Sequence, residues 1–172
     1  MTRFFPWIAV GLVGLVGAGA AGHWPGRETV LLALLLLLPL GDRRWQPPAL
    51  PRGWRHYAAW TALATGMAAI AVFMPSQRAY VIETLIFAAL PEEWFFRGWL
   101  LDRLGRNTRA NVVVSVLFAV LHGLARNWTN AALVFVPSLF FGWLYLRTRD
   151  LPLVVLVHAL GNTVVAVAIA AW

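Results

Sequence analysis

Seven long apolar stretches, separated by short polar segments, make up nearly the whole chain. They run from Phe4 to Ala21, Thr29 to Leu40, Tyr57 to Met74, Ala79 to Leu101, Ala110 to Leu124, Asn130 to Leu146 and Leu151 to Ala171. A helix needs roughly 20 apolar residues to cross the hydrocarbon of a bilayer. The pattern therefore predicts an all-α, polytopic transmembrane helix bundle of six to seven spans. The second stretch is the weakest, with thirteen uncharged residues between Glu28 and Asp42, and it spans only if Arg27 snorkels to the interface. The first has the outline of a signal peptide, with Arg3 ahead of an apolar core and Ala18-Gly19-Ala20 as a cleavage site. Six further apolar segments follow it, which favours a retained helix. The Pro- and Arg-rich segment Gly41 to Gly53 reads as a linker. It divides a single membrane domain, residues 1–172, into an N-terminal helical pair with its linker (1–56) and a helical core (57–172).

Composition agrees with this reading. Of 172 residues only 12% are charged and the mean hydropathy is +0.70, which excludes an ordinary soluble domain, where about a quarter would be charged. The net charge of +7 comes from arginines dispersed between apolar runs, so no nucleic-acid partner is expected. All fourteen basic residues are Arg, and the absence of Cys excludes disulfide and thiolate chemistry. On the seven-span reading ten arginines fall on one side (3, 43, 44, 52, 55, 103, 106, 109, 147 and 149) and three on the other (27, 78 and 126). The excess is expected to mark the cytoplasmic face, and the expected location is a bacterial or archaeal cell membrane, as an integral multi-pass protein. Trp45, Trp54, Trp99 and Trp128, near predicted helix ends, suit the interfacial aromatic belt.

Against this apolar background stands Pro91-Glu92-Glu93-Trp94-Phe95-Phe96-Arg97. Ionisable groups at membrane depth cost about 2.5 to 3.5 kcal/mol each on insertion scales, so they are rare and mark function. At the rise of an α-helix, Glu92 lies about 16 Å from Arg103, His122 about 20 Å from Arg109, and His158 and Asn162 about 13 and 20 Å from Arg149. The fourth, fifth and seventh apolar segments thus carry polar groups to similar depth, as one buried site requires. Glu93 and Arg97, four residues apart, share a helix face and can pair, as His158 and Asn162 share another. Glu92 is turned by about 100° from Glu93. It lacks a local cation and is the candidate general base, with burial favouring its neutral form. Pro91 removes a backbone hydrogen bond and is expected to loosen the helix there.

Glu92-Glu93-x-x-x-Arg97, then Phe118-x-x-x-His122, then His158-x-x-x-Asn162 resemble the motifs of the CPBP intramembrane proteases, relatives of the type II CAAX prenyl endopeptidases. The resemblance covers about residues 80–165. It implies an intramembrane endopeptidase of glutamic type in which Glu92 and His122 activate water while His158 and Asn162 stabilise the oxyanion. Glu93 with Arg97 would hold the helix, and Phe118 would support His122. The substrates implied are membrane-anchored proteins, with either a prenylated C-terminus or a C-terminal sorting or anchor helix, as in myxosortase-like relatives. The chain is shorter than many prenyl-protein processing relatives, which weakens the first.

The chemistry holds without the family: a carboxylate, two imidazoles and an amide supply a base, a positioned water and oxyanion donors. Glu92, His122 and His158 also form a His₂Glu set of the kind that holds zinc with an open position. Metal-free catalysis is the preferred reading, although the spacing alone does not separate the two. Two other classes use the same residues, a proton-coupled carrier with a Glu/His relay and a non-catalytic immunity or interaction protein of the same fold. The chain lacks the paired repeats of carriers, and binding alone would not require the four-residue set. His23 and His56, beside Trp24 and Tyr57, read as interfacial. Asn127-Trp128-Thr129 fits a glycosylation sequon but is assigned no role.

Overall fold

In hydrocarbon no water satisfies backbone N–H and C=O groups, so each apolar segment must bond them internally, and helices do this. The computed structural model describes residues 5–19 and 25–170. The expectations for Arg3, for Ala20 of the cleavage site and for His23 beside Trp24 lie outside the described residues. Among the described residues, seven main helices follow the seven apolar stretches: α1 (Phe5–Gly17), α2 (Arg27–Leu37), α3 (Trp54–Phe73), α4 (residues 78–103), α5 (Thr108–Ala125), α6 (Trp128–Thr148) and α7 (Leu151–Ala170). No strand occurs among the described residues.

Four of them, α3, α5, α6 and α7, are long and apolar enough to cross a membrane. The helices α1 and α2, of 13 and 11 residues, reach about 20 and 17 Å, short of the hydrocarbon thickness. Side-chain oxygens cap three N-termini, as short polar residues do. Asn107 accepts from Ala110 N, Asn127 from Asn130 N and Asp150 from Leu153 N, each at 2.8–2.9 Å.

The helix α4 is wound unevenly. Residues Thr84–Ala89 and Trp94–Leu100 form π turns, in which Leu90 N–H reaches Leu85 O and Leu101 N–H reaches Phe96 O. Between them the α-helical turn Leu90–Glu93 carries Pro91 and both glutamates. Pro91 lacks an N–H and its ring crowds the carbonyl four residues back, a conflict that the wider winding before it relieves. Such π turns gather at functional sites.

The linker is fastened to α4. Trp45 Nε1–H donates to Gly98 O at 2.9 Å, Trp99 Nε1–H donates to Asp42 at 3.1 Å, and Arg103 pairs with Asp42 at 2.9 Å. Trp45 and Trp99 are therefore buried in the core, at 7% and 0% exposure, and do not belong to an interfacial belt, whereas Trp54 and Trp128 are exposed as expected. Indole N–H groups that find partners inside can be buried. The interior is built on Phe95, Phe96, Trp99, Val114, Phe118 and Val154. The helices α5 and α6 approach so closely that a Cβ on Gly142 would overlap the Asn111 side chain, which donates to Leu139 O across the interface.

Candidate active site

Glu92, His122 and His158 meet, although they come from three helices. The carboxylate of Glu92 lies with Oε1 3.9 Å from His122 Nε2 and Oε2 3.8 Å from His158 Nε2. Both separations exceed a hydrogen bond and suit groups that share a small molecule between them. His158 is buried, and Glu92 and His122 are mostly so.

The partners of the other ring nitrogens fix the direction of each imidazole. His122 Nδ1 lies 2.9 Å from Phe118 O. A carbonyl only accepts, so Nδ1 carries the proton, and the Nε2 of neutral His122 presents its lone pair toward Glu92. His158 Nδ1 lies 2.8 Å from Glu93 Oε1, and that oxygen also accepts from Arg97 Nη1 at 2.9 Å. An arginine-paired carboxylate is an acceptor, so His158 donates from Nδ1. One imidazole thus bridges two consecutive carboxylates, with Nδ1 toward Glu93 and Nε2 toward Glu92. Glu93 pairs with Arg97 as predicted, and it also orients His158.

Arg97 is fully buried, and its charge is met on several sides. Nη2 donates to Ser138 O and Oγ at 3.0 and 2.7 Å, while the guanidinium lies over the rings of Phe118 and Phe141 at 4.9 and 5.7 Å. Glu93 Oε2 and Arg97 Nε remain buried with no partner among the described residues. Phe118 packs on His122 at 4.2 Å between centroids, and Phe141 stacks on His158 at 4.8 Å. Asn162 Nδ2–H donates to Thr84 Oγ1 at 3.2 Å, within the first π turn of α4. It sits one helical turn beyond His158 on α7 and makes no hydrogen bond with Glu92 or His122.

Thr84, Ser138 and Phe141 were missed by reading the sequence. The only signals were Pro137 beside Ser138 and the position of Thr84 two turns before Glu92. His56 is not simply interfacial. Its Nδ1 lies 2.6 Å from Asp150, which also accepts from Trp60 Nε1 at 2.9 Å and caps α7.

Residues 74–164 match the family described as Type II CAAX prenyl endopeptidase Rce1-like. The chain belongs to this family. The Rce1-like segment opens just before α4 and contains every residue of the cluster above. Rce1-like proteins are proteases, and with four helices able to cross a bilayer this one is an integral, multi-pass intramembrane protease. No curated protein and no solved structure matches the chain. Glu92, His122 and His158 are the set that the sequence offers as metal ligands. Among the described residues, however, no group of three or more His, Asp and Glu side chains has ligating geometry.

Proposed function

We propose that this Rce1-like chain is a CPBP-type endopeptidase that hydrolyses a peptide bond of a membrane-tethered protein at the Glu92 cluster. The observation that carries the reading is the convergence of two imidazole Nε2 atoms on one carboxylate, at 3.8 and 3.9 Å, with each Nδ1 already engaged. Water held between Glu92 and His122 Nε2 gives a proton to Glu92 as its oxygen attacks the scissile carbonyl carbon. Protonated His158, clamped by Glu93, donates from Nε2 to the developing oxyanion, and the Asn162 amide donates from the adjacent turn. Glu92 returns the proton to the leaving nitrogen as the C–N bond breaks. A base of this kind contributes about 10² to 10⁴ in rate, and an oxyanion donor about 10² to 10³.

The helix α4 is proposed to span together with α3, α5, α6 and α7. The shorter α1 and α2 would complete the six to seven spans, and the arginine-rich end would lie in the cytoplasm. Substrates are anchored proteins with either a prenylated C-terminus or a C-terminal anchor helix. Catalysis is proposed to be metal-free. The test is cleavage of tagged candidates of both kinds by purified protein, with the new termini read by mass spectrometry. Wild type is compared with Glu92→Ala, His122→Ala and His158→Ala, with and without chelator. Full activity of Glu92→Ala would sink the mechanism, and chelator inhibition reversed by zinc would replace the metal-free step by a His₂Glu zinc site.

A further inference from the structure

A cavity of about 380 Å³ opens at the arginine-rich end of the bundle, away from Glu92. It is lined by linker residues 46–49, by Gly98 and Asp102 of α4, and by Arg106, Tyr145 and Arg149. Asp102 forms an ion pair with Arg106, and Arg149 Nη2 lies 3.8 Å from the same carboxylate oxygen. Two guanidiniums present more N–H donors than one carboxylate can accept, and they leave an excess of one positive charge. The hydrogen bond to Asp102 raises Arg106 further above its ordinary range, so it stays a cation.

One feature of the lining is not explained by folding. Tyr145 is wholly buried, yet its hydroxyl has no hydrogen-bond partner among the described residues, a costly arrangement for a donor. Arg106 and Arg149 are the two non-glycine residues with left-handed backbone among the described residues, at φ 53 and 55°. Each closes a helix C-terminus, with Arg106 N–H on Leu101 O and Arg149 N–H on Tyr145 O, at 3.0 and 2.8 Å. Both line the cavity.

We propose that this cavity binds the phosphodiester of an anionic phospholipid headgroup, held by Arg106, Arg149 and the Tyr145 hydroxyl. A phosphate oxygen accepts from each guanidinium and from the phenol, which gives the orphan hydroxyl its acceptor. Asp102 keeps the two arginines facing each other. Lipid is favoured over soluble phosphate because the cavity opens at the ends of apolar helices, and the linker residues that line it are followed in the chain by exposed Leu50 and Trp54, residues suited to acyl chains and to the interface. Basic pockets between membrane helices take headgroups in this way.

The test is native mass spectrometry of the full chain in detergent, titrated with phosphatidylglycerol, phosphatidylcholine, inorganic phosphate or a short peptide with a free C-terminus. The expected result is one phosphatidylglycerol retained at least about fivefold better than phosphatidylcholine. Arg149→Gln and Tyr145→Phe should each weaken retention by about tenfold, while Arg147→Gln, on an exposed residue outside the cavity, leaves it unchanged. Tyr145→Phe keeps the ring, so it reports the hydroxyl without disturbing the fold. Unchanged retention in both variants, or equal loss in Arg147→Gln, would overturn the site. Saturation by inorganic phosphate or by the peptide, with no response to phosphatidylglycerol, would overturn the lipid as occupant.

Discussion

Glu92 has two imidazoles within 4 Å and no hydrogen bond to either, whereas Glu93, one residue on, accepts from both Arg97 and His158. The two carboxylates are thus held differently, Glu93 in a saturated acceptor role at Oε1 and Glu92 close to two imidazoles without a hydrogen bond to either. Removing one member of a buried ion pair leaves the other uncompensated, at a cost of about 3–5 kcal/mol. Arg97→Met is therefore expected to lower thermal stability in detergent by that order, and Glu93→Gln/Arg97→Met by clearly less than the sum of the two single changes, since the double change removes both charges. Thermal unfolding followed by circular dichroism checks this. The charged and imidazole members of the cluster were legible in the sequence because such groups are expensive at membrane depth. Thr84, Ser138 and Phe141 were not, because neutral hydroxyls and phenylalanines occur throughout membrane helices. Only folding shows which ones receive Asn162, Arg97 and His158.

At the level of elements, the seven helices were legible from apolar run length, since lipid leaves the backbone no alternative. The π turns flanking Glu92 were not, because winding depends on what the neighbouring helices press against. Nor was the burial of Trp45 and Trp99, which rests on partners at Gly98 and Asp42 distant in sequence. The contact of α5 with α6 depends on the missing side chain of Gly142, as small residues allow close helix approach. Gly142→Ala must displace the buried Asn111, and overpacking of this kind costs about 1–3 kcal/mol. A matching fall in thermal stability is expected, with partial recovery in Gly142→Ala/Asn111→Ala. Asp150 both caps α7 and ties it to His56 and Trp60. Loss of a cap alone costs about 0.5–2 kcal/mol, so Asp150→Ala should destabilise by at least that, and faster amide exchange in the first turn of α7 would localise the effect.

Across the whole molecule, large apolar side chains such as Phe73, Leu133, Val136 and Ile169 point outward, while the ionisable groups of the Glu92 cluster face inward. That inversion is the expected form of a protein dissolved in lipid. The helix ends gather Arg52, Arg55, Arg103, Arg106, Arg109, Arg147 and Arg149 at one end, with Arg78 and Arg126 at the other. Because the natural chain has no Cys, single substitutions Arg147→Cys and Arg126→Cys report topology cleanly. In intact cells an impermeant thiol reagent is expected to label Cys at 126 and to reach Cys at 147 only after permeabilisation. The central claim is that this membrane-embedded bundle exists to let Glu92 activate water. Its most direct test is the single-turnover cleavage rate of one membrane-anchored substrate by Glu92→Gln beside Glu93→Gln, each confirmed to be folded. A fall of about 10³ or more for Glu92→Gln is predicted, within the range of general-base and charge effects, with a smaller fall and a larger loss of stability for Glu93→Gln. Cleavage by Glu92→Gln at the wild-type rate would contradict the account.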